Sequence, residues 1–161
     1  MAADPHPPVP RLLRSTETEA AAALIRLAFA AQPLATDPPS SALGETGAAV
    51  AAGLAAGGGG FVVEGEGGLA AVLLVADRAG ALYCGRLAVH PAARGRGLAA
   101  RLMAAAEAEA RRRGLARLQV RVRLSLPGNL RFFEGLGFGE VGRDAHAGYA
   151  APTTAVLEKR I

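Results

Sequence analysis

Apolar and polar positions along the chain change period several times, and each change marks an element. Residues 11–14 read as a short first strand. Ser15 or Thr16 then precedes Glu17 and Glu19, acids that suit a helix start. Leu24, Leu27, Ala28 and Ala31 follow at helical spacing until Pro33. A Pro-rich loop covers 33–40, and a weaker helix is predicted over 43–56, stopped by four glycines at 57–60. From Phe61 the pattern reads as strands at 61–64, 69–76 and 81–89, separated by two tight turns. The strongest helix is predicted over 97–113, where Leu98, Leu102, Ala106 and Ala110 recur every four residues. Arg111, Arg112 and Arg113 occupy its last turn and Gly114 stops it. Leu118, Val120, Val122 and Leu124 alternate with Gln119, Arg121 and Arg123, a strand pattern. A short helix over 127–136 and closing strands at 138–141 and 153–157 complete the chain. Local strand pairs plus one helical crossover predict an α/β fold: a mixed sheet with helices on both faces.

Composition adds bounds. At 161 residues the chain fits one domain, 11–161, preceded by a Pro-rich tail at 1–10. That tail lacks the basic start and apolar run of a signal peptide, and no stretch of about 18 apolar residues occurs, so no membrane partner is expected. Cys84 is the single cysteine, which excludes an internal disulfide and a Cys-rich zinc site; a cytoplasmic location and no metal follow as expectations. Placed in an apolar strand, Cys84 reads as a buried, inert thiol. Net charge is +4, carried by seventeen arginines and one lysine, Lys159. The charge is uneven. Residues 94–123 hold nine arginines against Glu107 and Glu109, whereas acids outnumber bases in the rest. Aromatics are only 4% of the chain and no nucleic-acid motif is interleaved with the arginines, so a nucleic-acid partner is not expected.

The informative segment runs from Leu87, Ala88 and Val89 through Pro91 to Arg94, Gly95, Arg96, Gly97, Leu98 and Ala99. A strand ends, the chain turns, and a glycine-rich loop feeds the long helix. The first N–H groups of a helix lack internal partners and attract anions. Glycines at 95 and 97 let the backbone approach a ligand, and Arg94 and Arg96 add guanidinium groups suited to phosphate. A Walker loop is excluded by the missing Gly-Lys-Ser/Thr, and a dinucleotide fingerprint by the missing third glycine and acid. A basic, capped helix start without a ligand remains the bland alternative.

Leu87-Ala88-Val89-x-Pro91 with Arg94-x-x-Gly97-x-Ala99 resembles the acetyl-CoA signature of the GNAT N-acetyltransferases, and Gly135-Leu136-Gly137-Phe138 resembles their late helix-to-strand turn. The element order is also similar. The resemblance implies a mostly antiparallel sheet with a splayed strand pair, here 81–89 and 118–124, and direct acetyl transfer from acetyl-CoA to a primary amine in a ternary complex. The acceptor would be a small amine, an amino acid or a peptide terminus; homodimers are common among such proteins. Backbone groups of Leu87, Ala88 and Val89 would hold the pantetheine arm, and those from Arg94 to Ala99 the pyrophosphate, with Arg94 the first candidate side chain. The sequence departs from the family where a tyrosine usually protonates the thiolate: that position is Phe133. This departure makes a CoA-binding protein with little catalysis the alternative reading. Asn129 reads either as an N-cap of the short helix or as the family's contact to the CoA arm, displaced in spacing. Glu64, Glu66, Asp77 and His90 are bases by type, with His90 read as a surface residue. His146 and Tyr149, between the last two strands, are candidates for the acceptor pocket and for catalysis. Gln119, Arg121 and Arg123 share one strand face, read as salt-bridged or, alternatively, as a positive patch for an acidic acceptor.

Overall fold

A computed structural model describes residues 8–161, so most of the expected tail lies outside the described residues. The elements are β1 (Arg11–Leu12), α1 (Thr18–Ala30), α2 (Gly47–Ala55), β2 (Gly59–Gly65), β3 (Gly68–Arg78), β4 (Ala81–Val89), α3 (Leu98–Arg112), β5 (Arg117–Arg123), α4 (Pro127–Gly135), β6 (Gly139–Asp144) and β7 (Thr154–Arg160). Seven strands form one sheet in the order β1-β2-β3-β4-β5-β7-β6. Every neighbouring pair is antiparallel except β4 and β5, which the α3 crossover makes parallel. This is the expected α/β architecture with a mostly antiparallel sheet.

Two apolar layers flank the sheet. On one face Leu102, Met103 and Ala106 of α3 and Phe133 of α4 pack on Leu73, Leu82, Leu118 and Leu157. On the other, Ala21, Leu24 and Ile25 of α1 and Val50 of α2 cover Val62, Val72 and Ala88. Alanine on the packed faces brings helix and sheet backbones close, which is how a chain poor in aromatics still excludes water from both layers.

Some boundaries differ from the expectation. The helix predicted over 43–56 is split: a 3-10 turn at Ser41–Gly44 precedes α2, and Thr46 caps α2 by accepting from the Ala49 N–H at 3.1 Å. Only Gly57, at φ 91°, terminates α2. Gly59 and Gly60 belong to β2 instead. A Cβ on Gly60 would lie 3.0 Å from Leu13 Cδ2 and 3.1 Å from the Leu73 carbonyl oxygen, so packing excludes a side chain there. β6 and β7 run longer than predicted because mutual pairing carries residues whose pattern alone is too polar to show it.

The arginine-rich end of α3 is a structural anchor. Glu109, almost buried, accepts from Arg112 and from Arg113 Nε at 2.7 Å, and Arg113 continues to Asp77 and the Gly57 carbonyl. The hydrogen bond from Arg112, then that from Arg113, pulls the Glu109 carboxyl from its ordinary 4.5 to about 2. A depressed folded-state value stabilises the fold above about pH 4.5, and that contribution is lost as pH falls towards 2. Glu109→Gln is therefore expected to lower Tm near neutral pH, with the difference from wild type shrinking through the acid range. Melting curves across pH check this; a Tm difference independent of pH excludes the linkage.

Candidate active site

β4 and β5 pair only at Ala81–Arg117, Leu82–Leu118 and Tyr83–Gln119. Beyond Tyr83 the two strands diverge, and β4 loses its ladder partner on that side. A bulge in β4 contributes to the opening. Val72 opposes Ala88 while Leu74 opposes Gly85, so two steps on β3 match three on β4. The extra residue reverses which side chains face α3: Leu82 and Cys84 before it, Leu87 and Val89 after it. Arg86 sits in the bulge at φ 55°, a left-handed conformation that costs an arginine about 1–2 kcal/mol. Its side chain offsets that strain. Arg86 Nε donates to Glu45 Oε2 at 2.7 Å and Nη2 to Ser41 Oγ at 3.0 Å. A Cβ on Gly85 next to it would lie 2.8 Å from Tyr83 Cε1, so a side chain there would displace the Tyr83 ring.

The divergence opens a cleft of about 650 Å³. Leu87, Ala88, Val89, Arg94 and Ala99 line it, as do Asn129, Phe133 and His146. At its loop end a 3-10 turn, Pro91–Ala93, leads into α3. His90 is spent as its cap, Nδ1 accepting from the Ala92 N–H at 3.1 Å. Gly95 and Gly97 take φ 77° and 74°, and a Cβ built on either meets nothing within 4 Å. Among the described residues, the N–H groups of Gly95, Arg96 and Gly97 find no hydrogen-bond acceptor. Open N–H groups at the start of a fifteen-residue helix form an anion cradle, which fits a pyrophosphate. Arg96 is exposed beside it, while Leu98 turns its side chain into the core. Arg94 is exposed and reaches across to the Ala28 carbonyl, at 3.3 Å, in the last turn of α1.

Phe133 is both core and cleft wall. Its ring packs edge-on against Phe132 and Phe138, with centroids 5.0 and 5.5 Å away. Asn129 does not cap α4. Leu126 holds the N-cap position and Pro127 follows it, leaving Asn129 two residues inside the helix with its side chain exposed at the cleft. Proline at the first helical position starts the helix three residues earlier than an N-cap at Asn129 would.

The acceptor-side candidates separate. His146 lines the cleft, and its Nδ1 lies against Thr153 Oγ1. That oxygen also accepts from the His146 backbone N–H, and the Thr153 hydroxyl points its proton at the Asp144 carbonyl. Nε2, the other ring nitrogen, makes no hydrogen bond among the described residues. Tyr149 is not part of the wall. It donates its hydroxyl to Asp37, which raises its pKa, and its ring packs edge-on against His146 at 6.4 Å. Tyr149 thus straps the β6–β7 loop to the loop between α1 and α2. Glu64 and Asp77 are committed to Arg11 and Arg113, and neither they nor Glu66 line the cleft. Cys84 does line it, but burial pushes its thiol up to about 12, so it stays protonated.

Tyr83, Arg86, Ser40, Ser41 and Thr36 also line the cleft, and the sequence pattern had not singled them out for it. No spacing rule joins Arg86 to Glu45, 41 residues away. The strand arginines are mostly paired, as the bland reading held: Arg121 with Asp144, and Arg117 and Gln119 with Glu158. Among the described residues no helix is long and apolar enough to cross a membrane.

A search of curated protein sequences returns no match. Among solved structures, the ribosomal-protein-S18-alanine N-acetyltransferase of Escherichia coli aligns with a TM-score of 0.70 at 21% identity, covering 95% of this chain and 93% of that one. The yncA protein of Salmonella typhimurium, solved with its cofactor acetyl-CoA, aligns at 0.71 and 18% identity over the same shares. An N-acetyltransferase from Staphylococcus aureus aligns at 0.73 and 19%, covering 94% and 97%. At these identities the structures establish the fold. The sequence model of the acetyltransferase (GNAT) family matches residues 19–138, from the start of α1 to the turn before β6, and the chain therefore belongs to the GNAT acetyltransferase family.

Proposed function

We propose that this protein transfers an acetyl group from acetyl-CoA to a primary amine by direct attack within a ternary complex. The observation that carries the reading is the divergence of β4 from β5 after Tyr83, opening onto the glycine cradle at the start of α3. The yncA structure, with acetyl-CoA on a similar fold, supports it. In this reading the backbone of Leu87, Ala88 and Val89 holds the pantetheine arm. The N–H groups from Gly95 to Ala99 hold the pyrophosphate, assisted by Arg94 and Arg96, and Asn129 contacts the arm from α4. An unpaired N–H of β4 donates to the thioester oxygen and stabilises the charge that develops there.

The acceptor must be neutral to attack. At pH 7 that costs about 4.6 kcal/mol for a lysine-like amine and about 1.4 kcal/mol for a peptide α-amine. His146 is the base this reading assigns: it stands in the cleft wall, and its Nε2 has no hydrogen-bond partner among the described residues. Tyr149 positions that ring and does not touch the reacting atoms.

Acetyl-CoA at a hundred times its Kd is expected to stabilise the fold by about 2.7 kcal/mol, a Tm rise of about 5–10 °C. Differential scanning fluorimetry reads this directly, and no shift at millimolar ligand overturns the reading. A second reading, a CoA-binding protein with little catalysis, is favoured by Phe133 in the thiolate-facing position. Thiol release measured across a panel of amines separates the two: the enzyme releases CoA, the binder does not.

A further inference from the structure

Among the described residues the walls of the cleft carry four arginines, Arg86, Arg94, Arg121 and Arg123, and no aspartate or glutamate. Such a wall repels a cationic acceptor and attracts an anionic one. The four are not equivalent. Arg86 is neutralised by Glu45 at 2.7 Å and Arg121 by Asp144. Arg94 stands at the loop end, next to the glycine cradle. Arg123 is different: it is partly buried, and the only hydrogen bond its side chain makes among the described residues runs from Nη1 to the Pro38 carbonyl, at 2.7 Å. Asp37, the carboxylate nearest in sequence to that carbonyl, accepts from Tyr149; its charge attracts Arg123 from beyond ion-pair distance, and that attraction is outweighed by desolvation. Desolvation is the main influence on the Arg123 guanidinium and lowers its pKa, the opposite of what a carboxylate partner produces at Arg11 or Arg113. A guanidinium held by one carbonyl, with Nη2 and Nε free at a cleft wall, is a fork set for a planar carboxylate.

We propose that the acceptor is a small amine carrying a carboxylate, and that Arg123 binds that carboxylate and sets the specificity of the enzyme. The proposal rests on the acetyl-transfer reading above. One side of the acceptor is then fixed by Arg123, at the end of β5 where Pro38 and the strapped β6–β7 loop meet. The amine faces the divergence between β4 and β5, with His146 in the same wall.

The test uses the product side, so it does not depend on finding a fast acceptor. N-acetylglycine, N-acetylalanine, N-acetylleucine and N-acetylphenylalanine, and the primary amide of each, are titrated into the CoA-loaded protein by calorimetry. At least one acid is expected to bind about tenfold or more tighter than its amide, the size of one charge-assisted hydrogen bond. Arg123→Gln is expected to erase that difference, and Arg123→Lys, which keeps the charge without the fork, to retain part of it. Equal affinities for acids and amides, no binding of either at millimolar concentration, or a preference that survives Arg123→Gln would each overturn the proposal. Should Arg123→Gln not fold, Arg123→Lys with an undiminished preference overturns the fork and with a reduced one supports it. Acetyl-CoA titrated into the same preparations tests the underlying reading separately. If acetyl-CoA binds and the acid preference is absent, only the acceptor proposal fails.

Discussion

Gly97→Val is expected to weaken acetyl-CoA binding about 100-fold or more, equivalent to about 2.7 kcal/mol. Gly97 is the N-cap of α3 at φ 74°, a conformation that costs a residue with a side chain about 1–2 kcal/mol and a β-branched one more. The backbone then relaxes away from the left-handed region and turns the N–H groups of the cradle off their common focus. Each hydrogen bond to a charged oxygen contributes about 1.5–3 kcal/mol, so misdirecting one or two accounts for the loss. The added methyl groups also occupy the space that the glycine leaves open. Lower stability alone can mimic weaker binding, and the same helix supplies the control. Gly114, just past its other end, has φ 73° and an equally open Cβ position. Gly114→Val carries a similar strain with no cradle to disturb, so it should lose Tm and keep acetyl-CoA affinity. Calorimetric titration of both variants decides the matter. Equal losses of affinity would place the nucleotide elsewhere.

The second large effect concerns Phe133. Phe133→Tyr is expected to raise the rate of acetyl transfer about 10–100-fold, towards the low end of what a positioned general acid contributes. Thiolate is a tolerable leaving group, with a reference thiol pKa near 8.5, which keeps the expected gain modest. Phe133 is buried between Phe132 and Phe138 yet reaches the cleft, so a hydroxyl added at the ring's tip has somewhere polar to go. Two readouts separate the outcomes. A faster turnover with unchanged Tm means the hydroxyl faces the sulfur. A Tm loss with no gain in rate means it points into the apolar layer, where an unsatisfied hydroxyl costs about 1–3 kcal/mol. In that case the departing thiolate takes its proton from water.

The helix over 98–112 and its glycine loop were legible because their signals are local. Apolar residues every four positions, glycines at positive φ and a terminal arginine cluster act within a few turns of chain. The alternation from Leu118 to Val122 was legible for the same reason. The split of the 43–56 segment was less so. Thr46 is a good cap, but the alanines on both sides suit a continuous helix, and the 3-10 turn before it, capped by Ser40, is also held by contacts to α1 and β4. Asn129 shows a competition between two local signals, in which Pro127 won. The closing strands were read too short because β6 is exposed along its length and has no apolar face to display.

By itself the sequence determined the order of elements, the two apolar faces of the sheet and the glycine loop that starts α3, since periodicity and backbone freedom are properties of neighbouring residues. The tertiary structure alone decided how the cleft is walled. The β4 bulge depends on a register between two strands, and the Arg86–Glu45 pair joins residues 41 apart. The role of each strand arginine depends on whether a carboxylate from a distant part of the chain reaches it: Asp144 reaches Arg121, and for Arg123 only the Pro38 carbonyl does among the described residues. Charge can be counted along a chain, but neutralisation is a matter of distance in space. Only folding therefore distinguishes the guanidinium groups that hold the protein together from those left without a carboxylate partner.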